Sequence, residues 1–348
     1  VPSAYSTARA DLVEDRGRIL DVWMRNRPHF SEQRYDWIYG DRSRESAMWL
    51  LRAADGATAG ASALIHRQIR EGGALYPFGQ AVDLVVDAAH RTVGPALALQ
   101  RAVTGSCASL GLSGIYAFPN ARSEAVMLRS GYTSLGAIDR FTKPLRSAYK
   151  IDEVLPTPLL ARTASFLVDA ALRMVPTDWA HRRRAGSQGA TVDAFGEAFD
   201  QLWSASCLPD GLRLGERDAR YLTWRFRGFP QKDYRIFVVR SEEGPILGYA
   251  VWYVSKGIAN IADLFALDQG AMSDFLTVFV PHVRREPVHA LSFAFLGPAW
   301  LGSILASFGF FHRHEDAKII VFVPPGGEHT DRFTSRNGWY LTEADRDV

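Results

Sequence analysis

The residues best suited to chemistry cluster between Asp83 and Ser123. An apolar, β-branched run at 81–86 reads as a buried strand. It leads through Arg91, Thr92, Val93, Gly94, Pro95 and Ala96 into a strong helix-forming stretch ending near Val103. Pro95 suits a first helical turn, where its missing N–H costs nothing. A loop between strand and helix lies at the helix N-terminus, where unpaired N–H groups and the helix dipole favour an anion. Arg91 adds a positive charge there, and Gly94 omits the Cβ that would keep a phosphate away. Upstream, Asp83 is a carboxylate able to accept a proton. His90, or Asp263 far along the chain, could do the same, and the base could also act through a water.

These residues need a scaffold, and the flanking sequence supplies one. Residues 114–118 read as the next strand, ending at Pro119-Asn120. Ser123 can cap a helix over 124–130, and Gly131 stops it at the position that favours a left-handed residue. Before the loop, 8–27 reads as an amphipathic helix with Leu12, Ile19, Leu20 and Trp23 on one face. Ser31 can cap a second helix over 35–39. Residues 47–52 and 60–65 read as a hairpin around Asp55-Gly56, and 76–87 is the strand feeding the loop.

The loop Arg91-Thr92-Val93-Gly94-Pro95-Ala96 resembles the Gln/Arg-x-x-Gly-x-Gly/Ala pyrophosphate motif of the GCN5-related N-acetyltransferase (GNAT) family. The later Asn120, short helix and Gly131-Tyr132 resemble that family's fourth-helix block, in the same order and at its spacing. The resemblance implies an α/β (α+β) fold, a mixed and mostly antiparallel sheet flanked by helices. It also implies an acyl-CoA cosubstrate, acetyl-CoA first, with the diphosphate on the loop at 91–96. Val85 and Val86 would offer N–H groups to the pantetheine and the thioester oxygen, and Asn120 and Ser123 would lie beside them. The family often has a Tyr seven residues after the Asn to protonate the leaving thiolate. Met127 stands there in this chain, and neither Tyr116 nor Tyr132 is in register.

The same pattern returns later in the chain. Arg34-Tyr35 with Trp37 is echoed by Arg220-Tyr221 with Trp224, and 49–52 with Gly60 by 237–240 with Gly248. Asp83 is echoed by Asp263, and Gly131-Tyr132 by Gly309-Phe310. A collinear set of this kind marks an internal duplication. The expected domains are 1–146 with the phosphate loop and 188–330 with a degenerate copy, because the stretch after Asp263 lacks the Arg-x-x-Gly-x-Ala spacing. Residues 147–187 form a linker with a helix over 159–174 and a basic stretch at 181–184. Residues 331–348 form a C-terminal tail in which 339–342 can tuck back on the fold and 343–348 is polar.

Composition narrows the partners. The 348 residues are 47% hydrophobic, ample for packed cores, and Lys+Arg 40 against Asp+Glu 38 gives a net charge of +2. The arginines are scattered rather than striped, so no nucleic-acid face is expected. No run reaches the ~20 apolar residues of a membrane span, and no signal-peptide pattern opens the chain. Cys107 and Cys207 lie far apart without metal-ligand spacing, so no metal is expected and a reducing cytoplasm is the simplest fit. His29, His66, His312 and His314 show no pairing pattern.

The expected reaction is acyl transfer from a thioester to the amine of a small molecule, such as an amino sugar or a biosynthetic intermediate. Such a reaction needs a neutral amine, a donor for the oxyanion and a thiolate able to leave. Tyr76, Phe78, Gln80, Tyr116 and Phe118 could line the acceptor pocket. Two other readings remain: a Fem-like transferase that takes its acyl group from a charged tRNA, and an acyl-CoA-binding protein without catalysis. The sequence does not specify the oligomeric state.

Overall fold

The computed structural model describes residues 5–27, 30–41, 45–146, 187–207, 209, 211–242, 244–326 and 330–346. The linker helix expected over 159–174, the basic stretch at 181–184 and His29 lie outside the described residues.

The strands form one continuous sheet in the order β1-β2-β3-β4-β5-β13-β6-β12-β11-β10-β9-β7, with β8 beside β3 and β14 beside β8. The first half supplies β1 (Tyr5–Arg9), β2 (Ser46–Ala53), β3 (Thr58–Glu71), β4 (Ala74–Val86), β5 (Gly114–Ala117) and β6 (Thr133–Pro144). Its helices are α1 (Arg16–Asn26), α2 (Glu32–Tyr39), α3 (Val93–Gly105) and α4 (Ala121–Arg129). The second half repeats the order with β7 (Gln188–Val192), α5 (Glu197–Ala205), β8 (Arg213–Gly215), α6 (Ala219–Leu222), β9 (Arg235–Arg240), β10 (Ile246–Ser255) and β11 (Ile258–Ala266). It continues through α7 (Gln269–Arg284), β12 (Ala290–Phe295), α8 (Ala299–Ser307) and β13 (Phe311–Phe322). The chain ends with α9 (Thr330–Thr334) and β14 (Trp339–Tyr340).

Pairing is antiparallel except for β4 with β5, β11 with β12, and β8 with β14. Helices cover both faces, so the middle of β2, residues 47–51, is an unbroken apolar run. Ala47, Trp49 and Leu51 pack with Leu99 and Val103 of α3. Met48 and Leu50 pack on the other face with Ile19, Trp23 and Ile38 of α1 and α2. This is the period-two alternation of a strand.

The two halves exchange their last strands. β13 lies between β5 and β6, with Ile320 opposite Ala117 and Phe311 opposite Thr142. β6 in turn pairs with β12, Ala290 opposite Pro144. The boundaries 1–146 and 188–330 therefore follow the chain, whereas each spatial half is completed by a strand from the other.

Several local expectations shift. The stretch 8–27 divides into β1 and α1, with Asp15 as N-cap. α3 begins at Val93, so Gly94 and Pro95 lie in its first turn. α4 begins at Ala121 with Asn120 as the N-cap, and Ser123 is its capping-box partner rather than the cap. Ser31 caps α2 as expected, accepting from Arg34 N at 3.2 Å. Gly131 takes φ +102° after α4. Among the described residues, no helix is long and apolar enough to cross a membrane.

Candidate active site

β4 and β5 pair over only three residues, Phe78–Gln80 against Gly114–Tyr116, and then part. The gap opens into two adjoining cavities. The outer one, about 410 Å3, is lined by Arg27, Leu84, Val86, Arg91, Asn120 and Arg122 among others. The inner one, about 70 Å3, reaches Asp83, Gln100, Phe118, Ser123 and Met127.

A bulge in β4 makes the gap. The register with β3 slips between Ala61/Ala63, opposite Val85 and Val82. Val82 and Val85 are three apart, yet both face α1 and α2. In an unbroken strand they would face opposite ways. Asp83 sits in this bulge at φ +55°, a left-handed conformation that Asp tolerates better than most residues. Its buried carboxylate meets Arg34 at 2.9 and 3.0 Å and accepts from the Tyr39 hydroxyl at 2.7 Å. Burial, and then the Asp83 charge, push the Tyr39 pKa up.

Beyond the bulge, alternation decides which amides face the opening. Val85 lies opposite Ala61 and Asp87 N donates to Ala59 O, so both turn towards β3. Leu84 and Val86 therefore turn away from β3. Their carbonyls accept from Arg27 Nη2 at 2.8 Å and from Arg91 Nη2 at 3.2 Å. Of the two valines singled out in the sequence, Val86 thus turns its backbone to the opening, together with Leu84, and Val85 turns to β3.

At the top of the cleft the N-cap Thr92 makes no side-chain capping bond to α3. Arg91, Thr92, Val93 and Gly94 are exposed, Pro95 is buried and Ala96 lines the outer cavity. A Cβ built on Gly94 would meet nothing within 4 Å, so the protein's own packing does not require glycine there. Arg27, Arg91 and Arg122 ring the outer cavity. Together these leave an open, cationic corner at a helix N-terminus, suited to a diphosphate.

Sequence reasoning missed Gln100. It is fully buried on α3, donates Nε2 to Ser62 Oγ at 2.9 Å, and its Oε1 has no partner. The side chain lies in the wall of the inner cavity. An unpaired buried carbonyl costs roughly 1–3 kcal/mol, and a donor in the cleft would relieve it. A glutamine next to Arg101 in a helix-forming stretch gives no sequence signal of such burial. Met127 lies in the same wall.

The second half has the corresponding gap, closed by the protein itself. β11 and β12 pair from Ile258–Ala290 to Ile261–Phe293. Beyond that point Leu296 and Leu341 exchange N–H···O bonds of 2.9 and 2.8 Å. Tyr340 OH donates to Leu264 O, and Thr342 Oγ1 donates to Asp263 at 2.7 Å. The C-terminal segment thus lies where an extended ligand would lie. Asp268 caps α7 through Ala271 N at 2.8 Å, placing a carboxylate where the first half leaves a helix end open. Asp263 is buried between Tyr249, at 2.7 Å, and Arg217, at 2.9 Å. Each aspartate thus holds a tyrosine and an arginine.

The tail does not end as a polar strand in solvent. Asp345 is fully buried against Arg217 and Arg67. Glu343 is half-buried and accepts from Lys232 Nζ at 2.7 Å, Tyr234 OH at 2.9 Å and Tyr253 OH at 3.2 Å. Burial alone would raise its pKa, but Lys232 and Arg225 outweigh it and the net shift is downward. Glu343 lines a cavity of about 190 Å3 between the halves, with Arg140, Lys232, Tyr253, Arg346 and Phe118. Phe118 also borders the inner cleft, so it is a wall common to the two spaces.

The remaining candidates lie elsewhere. His90 accepts from or donates to Tyr5 OH at 3.1 Å and lines neither cleft cavity. His66, His312 and His314 pair with Glu45, Asp139 and Asp316. Tyr76 and Phe78 pack on Phe333, and Tyr116 is fully buried, so of the expected acceptor-pocket aromatics Phe118 alone borders the cavities. Among the described residues no group of three His, Cys, Asp or Glu is arranged to hold a metal.

No family model and no curated protein matches the sequence. Solved structures do match the fold. A protein of Enterococcus faecalis described as a conserved protein of unknown function and probable N-acyltransferase aligns at TM-score 0.67 and 12% identity, over 92% of this chain and 73% of its own. A GCN5-related N-acetyltransferase of Anabaena variabilis aligns at 0.63 and 13%, over 91% and 72%. A tandem GNAT protein from the clavulanic acid biosynthesis pathway aligns at 0.51 and 13%, over 92% and 98%. At these identities the likeness is one of fold, and that fold is a tandem GNAT fold.

Proposed function

We propose that this tandem GNAT-fold chain is an acyl-CoA-dependent N-acyltransferase, with acetyl-CoA the first donor to test, that acylates the amine of a small molecule such as an amino sugar or a biosynthetic intermediate. The observation that carries the reading is the contrast between the two gaps. The first is open and lined with cations; the second is filled by the chain's own C-terminal segment.

The open space at Gly94 and the unpaired Gln100 Oε1 both fit an acyl-CoA. The α3 amides with Arg91, Arg27 and Arg122 would hold its diphosphate. The Leu84 and Val86 amides and Gln100 would hold its pantetheine arm. When bound, it supplies an acyl thioester. An amide of β4 stabilises the oxyanion formed as the acceptor's nitrogen attacks.

The proton is handled without a dedicated enzyme base. The acids lining the cleft and the cavity between the halves, among the described residues, are Asp83 and Glu343. Asp83 is committed to Arg34 and Tyr39, and Lys232 with two tyrosine hydroxyls engages Glu343, so neither carboxylate is free to face the acceptor's nitrogen. Asp263 has the same tyrosine and arginine partners in a half whose gap is closed, which argues that both aspartates serve the fold. The acceptor's proton therefore passes to water at the cleft mouth. The thiolate leaves unassisted past Met127, which a thiol pKa of about 8.5 permits.

Calorimetric titration with acetyl-CoA, followed by thiol release across an amine panel, tests the reading. Micromolar or tighter binding and acceptor-dependent thiol release are expected, with kcat/KM rising with pH towards each acceptor's own pKa. Absence of coenzyme binding removes the proposal. Binding without thiol release would favour an acyl-CoA-binding protein, a reading that Met127 motivates.

A further inference from the structure

We infer that the acceptor carries an anionic group, a carboxylate or phosphate, in addition to its amine, and that Arg140 and Arg346 read that group in the cavity between the halves. The inference rests on the transferase reading above and narrows its substrate class.

The charge lining this cavity is unbalanced. Three cations, Arg140, Lys232 and Arg346, face one carboxylate, Glu343. Glu343 is already committed to Lys232 at 2.7 Å and to two tyrosine hydroxyls. That neutralises Lys232, and Glu315 pairs with Arg140, so Arg346 carries the unbalanced charge and Arg140 contributes a spare donor. Arg140 donates Nε to Glu315 and Nη1 to Ser292 Oγ at 3.1 Å. Its Nη2 has no partner among the described residues. Arg346 has no carboxylate partner among the described residues; its guanidinium lies 5.9 Å from the centre of the Phe118 ring.

Two guanidinium groups with donors to spare form a receptor for a carboxylate or a phosphate, whose oxygens accept in the fork geometry that arginine offers. Phe118 is the wall shared with the cleft, so an acceptor held by its anion here has its other end near the place where β4 and β5 part. The volume of about 190 Å3 suits a compact amine and is below the ~300–1,000 Å3 of drug-sized sites. Glu343 then does a second job. It keeps Lys232 from holding the anion too tightly and repels acceptors that carry two anionic groups.

The test compares acceptors in matched pairs on the full chain. One arm sets amino acids against their amides; the other sets amino sugars against their 6-phosphates. Acetyl-CoA affinity is measured separately by calorimetry. The expected result is a kcat/KM at least tenfold higher for the anionic member in one arm, and the arm that shows it identifies the anion. Arg346→Gln, at an exposed position where folding is not at stake, should reduce that preference about tenfold through KM. It should leave the acetyl-CoA Kd unchanged, and Arg346→Lys should retain part of the preference. Arg140→Gln should act in the same direction. Turnover with no preference for the anionic member in either arm overturns the inference, as does an unaltered preference in Arg346→Gln. Failure to bind acetyl-CoA would instead overturn the transferase reading beneath it.

Discussion

Trp37 and Trp224 stack on each other, with ring centres 4.9 Å apart and planes 18° from parallel. Each indole N–H donates to the other's backbone carbonyl, at 2.8 and 3.0 Å. The two tryptophans occupy equivalent places in the duplicated pattern, so this reciprocal contact marks a local two-fold relation between the halves. It clasps α2 to the π-helical turn Thr223–Arg227. The strand exchange joins the same halves through the sheet, so the cavity between them has two independent braces.

The tryptophan clasp should show as coupling. Stacked aromatic pairs contribute roughly 0.5–1.5 kcal/mol beyond burial, and each hydrogen bond about 1 kcal/mol more. A double-mutant cycle of Trp37→Ala and Trp224→Ala, measured by chemical denaturation, should give a coupling energy of about 0.5–1.5 kcal/mol from the stack, while each hydrogen bond, made to a backbone carbonyl that the partner's mutation leaves in place, adds to the single-mutant losses instead. Additive losses would show that the two contacts are energetically independent.

Gly94→Glu should abolish acetyl-CoA binding, with Kd raised more than a hundredfold. The same change should alter stability by less than about 0.5 kcal/mol, because the new side chain enters open space. Calorimetry and thermal melting on the same sample check both halves of the statement. Unchanged affinity would place the diphosphate elsewhere.

Asp83→Asn separates a structural aspartate from a chemical one. Removing the charge breaks the buried ion pair with Arg34, which costs about 3 kcal/mol or more. The melting temperature should therefore fall by several degrees, while kcat per folded molecule falls less than tenfold. A fall of a hundredfold or more in kcat at unchanged stability would restore Asp83 as the base.

Acid should weaken the ion pairs that hold the C-terminal segment to the fold. Burial by itself would raise the pKa of Asp345 and of Glu343. Arg217 and its hydrogen bond outweigh burial at Asp345, as Lys232 does at Glu343, and both net shifts are downward. A carboxylate depressed in the folded state stabilises the fold above its unfolded pKa and loses that contribution as pH falls through the folded value. Denaturation midpoints should be level above about pH 5 for these two groups and should drop below about pH 4, where unfolded carboxylates protonate. Glu343→Gln should flatten part of that drop, read from urea midpoints at pH 3 to 7.

Much of the first half was legible before the structure. The strand at 81–86, the loop at 91–96, the helix after it and the Asn120 block are local signals, set by alternation, capping and glycine. Even there the sequence misassigned a detail at 84–86. The bulge at Asp83 shifts the alternation by one residue, and a bulge leaves no pattern that a single strand reveals. Asp83 was singled out from its own stretch of chain; its partners Arg34 and Tyr39 come from another helix, and only the structure brings them to its carboxylate.

The sequence by itself determined the duplication, the tandem GNAT resemblance and the absence of a phosphate loop in the second copy. Those properties live in residue order over ten or twenty positions, where backbone preference and burial period act directly. Only the tertiary structure decided that β6 and β13 trade places, that Tyr340, Leu341 and Thr342 fill the second gap, and that Glu343 and Arg346 reach the cavity between the halves. Strand partners and buried ion pairs join segments more than a hundred residues apart. Their choice depends on which surfaces remain uncovered once every local element has formed.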